Sequence, residues 1–221
     1  MKKIFSASLI TCLLLTACGK EEPVQYSYSL VDIFPEISVS EEHNLYVDET
    51  GQPAQGHYLT TYPDGSVRAD VTFRDGMIIN GDILRPNGNT FIGYTMDRNL
   101  MVMTNYRDES QPRIITKYGE DLSDRREFHV WTEDGTRIVE SDESIFKLWF
   151  ESGQLSMVVP SLNGNTHGII RSWYENGQPQ SEYHFTEGVR DGPSIDWDEE
   201  GNVVKNETYE NGELISEGQS G

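Results

Sequence analysis

Cysteine is almost missing from this 221-residue chain: Cys12 and Cys18 are its only two. Neither lies in the body of the sequence, so no disulfide framework staples the fold, and no thiol there serves as a nucleophile. Basic side chains are also scarce, 17 against 37 acidic ones, a formal charge of −20. A surface of that sign repels phosphates and anionic headgroups, which excludes nucleic acid as a natural partner and favours a basic protein. Long apolar runs are absent as well. The only one, Ile4 to Leu15, falls short of the roughly 18–20 residues that span a bilayer. Amphipathic helical periodicity is nowhere convincing, with room for at most one turn within residues 121–128.

The chemistry of catalysis is equally thin. Five histidines (His43, His57, His129, His167, His184) are scattered without the close spacings of a zinc site. No Gly-x-Ser-x-Gly elbow occurs, and no Gly-Lys-Ser/Thr element follows any glycine. One stretch does follow a calcium-loop pattern: Asp196, Asp198, Glu200 and Glu207 occupy oxygen-ligand positions, with Gly201 at the turn and Val203 at the apolar position. Gly201 and Val203 also fall on a repeat described below, so the expectation is an acidic hairpin, with no metal, no cofactor and no enzymatic activity.

What is present begins at the N-terminus. Lys2 and Lys3 precede the apolar run, and Leu15-Thr16-Ala17-Cys18 closes it with small residues before a cysteine. This is the layout of an export signal. With cysteine at the cleavage point it resembles a bacterial lipoprotein signal, which implies removal of residues 1–17 and lipidation of Cys18. An ordinary secretory signal, a membrane anchor and a buried helix are the alternatives. The shortened chain would have 204 residues and, without Lys2 and Lys3, a charge of −22. Gly19 beside the cysteine is not the aspartate that holds many lipoproteins at the inner membrane, so the outer membrane is the expected location. Residues 18–50 read as a tether and an irregular lead-in with one strand around residues 26–33, and residues 219–221 as a disordered tail.

Glycine then sets a rhythm. Gly168, Gly177 and Gly188 recur as Gly192, Gly201 and Gly212, a period of 24. Gly56, Gly65 and Gly76 show the same steps near the front. Trp131, Trp149, Trp173 and Trp197 each stand four residues before a glycine, and Tyr62, Phe150 and Tyr174 three before. Many of the glycines follow Asn or Asp, the pairs that supply positive φ in tight hairpins, and the segments between are rich in aromatic and β-branched residues. The fold class predicted is all-β, an elongated antiparallel sheet of stacked hairpins.

A unit such as residues 168–177, closed by Gly188, resembles the MORN repeat, and more narrowly the YwqK family of bacterial antitoxins. The resemblance covers residues 51–93 and 126–218, with 94–125 a diverged connecting segment. It implies a stoichiometric protein that binds and neutralises a toxin. Combined with the export signal, it gives a lipid-anchored envelope protein whose repeat sheet binds another protein, with a basic toxin as the candidate partner. A structural scaffold of an envelope assembly is the alternative reading, and an envelope enzyme a more remote one. Strand alternation sends neighbouring columns to opposite faces, so one column packs and the other is free to bind. Trp149, Trp173 and Trp197 are the candidate binding residues, with Tyr62, Phe150 and Tyr174 as the alternative.

Overall fold

The computed structural model describes residues 25–108 and 111–218. Cys18, the residues read as an export signal and those read as a tail at 219–221 lie outside the described residues. Among the described residues helix is limited to a single turn, α1 (Leu30–Ile33), where the sequence reading placed a strand. A small hairpin follows, β1 (Ser38–Val39) with β2 (Tyr46–Val47). The repeat region then supplies β3 (Gly56–Thr61), β4 (Val67–Arg74), β5 (Met77–Leu84), β6 (Thr90–Asp97), β7 (Leu100–Tyr106) and β8 (Pro112–Tyr118). It continues as β9 (Arg125–Trp131), β10 (Arg137–Ser141), β11 (Ile145–Trp149), β12 (Leu155–Leu162), β13 (Asn165–Thr166) and β14 (Gly168–Trp173). The last four are β15 (Pro179–Thr186), β16 (Val189–Trp197), β17 (Val203–Glu210) and β18 (Glu213–Glu217).

Strands β3 to β18 form one 16-stranded antiparallel sheet in strict chain order, with β13 pairing only β12. At about 4.8 Å per strand the ladder runs for roughly 65–70 Å. Residues 94–125, which lack the repeat columns, are part of the same ladder as the end of β6, β7 and β8. Residues 121–128 hold a turn and the start of β9 rather than a helix.

The two edges of the sheet use different turns, and the sequence specifies both. One edge has two-residue loops such as Asn163-Gly164, with φ of 52° and 79°, the primed turn that matches strand twist. The other has three-residue loops. Tyr174 and Gln178 close one of them, Gly177 donates its N–H to the Tyr174 carbonyl at 2.9 Å, and Gly177 sits at φ 88°. A bulge follows each loop of this kind, so that Trp173 pairs with Pro179 while Ser172 pairs with Ser181.

Cross-strand register divides the side chains into two faces of opposite character. One face is apolar: Phe73, Val71, Ile83, Ile92, Tyr94 and Met101 follow one another across β4 to β7. The other carries ion pairs across the ladder. His57 meets Asp70 at 2.7 Å, and Lys117 meets Asp97 and Glu127 at 3.0 Å each. Lys147 meets Glu140 at 3.2 Å and Arg171 meets Glu182 at 2.9 Å.

The described part of the lead-in forms the second layer over the apolar face. Leu30, Ile33, Phe34, Ile37 and Ala54 are buried against Val71, Phe73, Ile83 and Met101. Phe34, Tyr58, Phe73 and Tyr46 make a chain of edge-to-face ring contacts at 5.3–5.7 Å. Backbone bonds dock the layer, Tyr46 N–H to the Gly76 carbonyl at 2.9 Å and Leu122 N–H to the Asn44 carbonyl at 2.9 Å. Each fully buried side chain of this size contributes about 1.5–3 kcal/mol, which a hairpin ladder alone does not supply. Among the described residues, the buried hydrophobics end at Met101; beyond it the buried side chains are Thr116, Ser172, Ser181 and Ser194.

Gly81 shows how tightly this half is built. It has φ 138°, and a Cβ there would stand 2.2 Å from the Asp70 carbonyl oxygen and 2.5 Å from the Val71 Cα. Gly65, at φ 86°, faces open space. Gly81→Ala is expected to cost at least 2–3 kcal/mol (order-of-magnitude) and Gly65→Ala only about 1 kcal/mol. Thermal melts of both variants check the difference.

Candidate functional site: a tryptophan row on the ion-paired face

The bulge after each three-residue loop fixes where the tryptophans go. Trp131, Trp149, Trp173 and Trp197 are the last residues of β9, β11, β14 and β16. Each follows a residue of the apolar face, namely Val130, Leu148, Ser172 and Asp196, so each tryptophan falls on the ion-paired face. Successive tryptophans are two strands apart, about 10 Å, along one edge of the sheet. All four are half-buried. His129 leans on Trp131 with ring centroids 5.8 Å apart, and the Arg137 guanidinium lies 5.8 Å from the same ring. The structure therefore brings Trp149, Trp173 and Trp197 into one row, and adds Trp131 to it.

The neighbouring column does a different job. Tyr62 is buried, and its hydroxyl donates to the Leu84 carbonyl at 2.6 Å, at the next loop along the edge. Tyr174 donates to the Trp197 carbonyl at 2.8 Å in the same way. Burial in the first place, and then Tyr28, push the Tyr62 hydroxyl up to about 12, so it stays protonated and remains a donor. Phe150 has the position without the hydroxyl. The two tyrosines are staples between successive loops, Tyr62 buried and Tyr174 half-buried.

Two arginines belong to this column and were not singled out from the sequence. Arg85 donates to the carbonyls of Thr90, Tyr106 and Arg107 at 2.9, 2.7 and 3.0 Å. Arg107 reaches the Thr132 and Glu133 carbonyls. A guanidinium with several donors replaces the single tyrosine hydroxyl and carries the stapling through the segment where aromatic columns fade. The signal for Arg85 was available, since it stands three residues before Gly88 just as Tyr62 stands before Gly65.

The calcium-like spacing resolves into a hairpin loop between β16 and β17. Asp198 spends its carboxylate on its own loop, accepting from the Asn202 N–H at 2.7 Å and from its Nδ2 at 3.0 Å. Glu207 pairs with Lys205 at 2.8 Å, and Asp196 accepts from the Tyr183 hydroxyl. Among the described residues no group of three or more His, Cys, Asp or Glu side chains gathers as a metal site.

Comparison with known proteins agrees with this architecture at the level of the repeat. A family model described as a MORN repeat variant matches residues 166–187, the unit that contains Trp173 and Tyr174. The chain carries MORN-type repeats. No curated relative matches it. A solved structure described as the GtfA/B complex bound to UDP and GlcNAc is 14% identical, covering 65% of this chain and 28% of its own, with a TM-score of 0.22. This chain thus spans under a third of that protein, and a likeness so slight carries no argument about fold or activity.

Proposed function

We propose that the protein is a lipid-anchored envelope protein that binds another protein through its repeat sheet, with the tryptophan row as the contact, and that it neutralises a basic toxin. The row is the observation that carries this reading. Four tryptophans at about 10 Å intervals on the solvated face give large rigid anchors of the kind that dominate protein interfaces. The acidic chain around them favours a basic partner and fast association at low salt. The resemblance to the YwqK family of antitoxins supports toxin neutralisation, and the layout around Cys18 supports anchoring at the outer membrane by lipid.

Replacing Cys18 by Ser and fractionating the cells tests the anchor: the variant is expected to leave the membrane fraction, and a variant as firmly bound as the parent contradicts it. Trp173→Ala tests the row. The expected outcome is a loss of about 2 kcal/mol in affinity for the partner recovered from solubilised membranes, roughly 30-fold, with a melting temperature within a few degrees of the parent. A variant that unfolds, or one that binds as the parent does, removes Trp173 from the contact.

A further inference from the structure

The apolar face does not stop where its cover stops. Beyond β8 the register carries it on through Phe128, Val130, Phe146, Leu148, Met157 and Ile170, from β9 to β14. All six side chains are half-buried, and the strands that carry them make their substantial contacts only with their ladder neighbours. The ladder ion pairs of this stretch, Lys147 with Glu140 and Arg171 with Glu182, lie on the opposite face, and the apolar strip ends where Asp196, Lys205 and Glu207 take its positions on β16 and β17. At the rim of the strip, Arg126 is held by Asp124 and Glu143. From β9 to β15 the sheet is therefore one layer with an apolar side, like the side that the lead-in seals.

We infer that a second copy of this chain covers the strip, the two apolar faces packing as a sandwich. Three observations select this occupant. The strip spans six strands of the ladder, β9 to β12, β14 and β15, with two or three side chains along each, about 500 Å² per copy, so two copies bury about 1,000 Å², the size that a specific interface has to reach. Its interior carries no charge of either sign, so it is self-complementary, whereas a basic partner finds nothing there to pair with. From β9 to β15 the acidic side chains of each copy sit on the far face and at the loops, and sheets packed about 10 Å apart leave those charges separated by more than a Debye length at physiological salt. The inference does not rest on the toxin reading, because it uses the opposite face from the tryptophan row.

The test is photo-crosslinking of the full chain in its host cells. p-Benzoylphenylalanine in place of Phe128 or Phe146 keeps an aromatic side chain on the strip, and the same group in place of Trp173 probes the other face. An adduct of two copies from Phe128 and Phe146, and none from Trp173, is expected. Monomer alone, or an adduct with a different protein at Phe146, overturns the inference, as does an equal two-copy adduct through Trp173. Leu148→Thr, which keeps strand propensity, is expected to lower the Phe146 two-copy yield about tenfold while protease resistance is unchanged. An unchanged yield overturns the assignment of the face even if the protein is dimeric.

Discussion

Strand alternation, held in register across sixteen antiparallel strands, is the constraint from which the other features follow. It collects Val71, Phe73, Ile83, Tyr94 and Met101 on one side and pairs Lys117 with Asp97 and Glu127 on the other. A slip of one residue in any hairpin would exchange the two sides. The loops oppose this, because tight turns such as Asn163-Gly164 and three-residue loops such as 175–177 fix the pairing of the strands they join, and a bulge takes up one residue at a fixed place, as between Ser172 and Trp173. The sheet is amphipathic from β4 to β15, and among the described residues only its first half has a second layer.

That asymmetry divides the energetics. The first half gains from burial: Phe73, Ile78 and Ile83 are sealed under the lead-in, and Gly81 lets β4 and β5 approach more closely than any side chain allows. The second half relies on ladder hydrogen bonds, on cross-strand pairs such as Arg171 with Glu182, and on the loop staple from Tyr174. A single layer with one apolar side leaves surface available for partners on both faces, and the two faces offer different chemistry. The tryptophan row lies among charges and suits a partner that brings charge. The bare strip suits a surface like itself.

Much of this was legible in the sequence, because a turn has strict local requirements. Asn163-Gly164 and the glycine period announce the hairpins, and the tryptophan column falls where the bulges send it. The lead-in was not legible. Leu30, Ile33, Phe34 and Ile37 stand in an acidic stretch with Pro35 and no repeat, and their role depends on a surface formed more than thirty residues later. Residues 94–125 were missed for a related reason. Arg85 and Arg107 make the staple that tyrosine makes elsewhere, so the backbone repeats while the residue type does not. The carbonyls that Tyr62 and Tyr174 reach stand two strands away, a relation that no local pattern contains.

The central claim is that the lead-in supplies the second layer for β3 to β8 and for nothing beyond the loop that holds Leu122. Native-state hydrogen exchange of the parent and of Phe34→Ala, resolved strand by strand, tests it most directly. Removing a buried phenylalanine costs about 3–5 kcal/mol, and cooperative units of a fold lose protection separately when their stabilities are separate. The account predicts that Phe34→Ala speeds exchange in β4 to β7 by orders of magnitude and leaves β16 to β18 unchanged. Unchanged protection in β4 to β7, or an equal loss along the whole ladder, would contradict it.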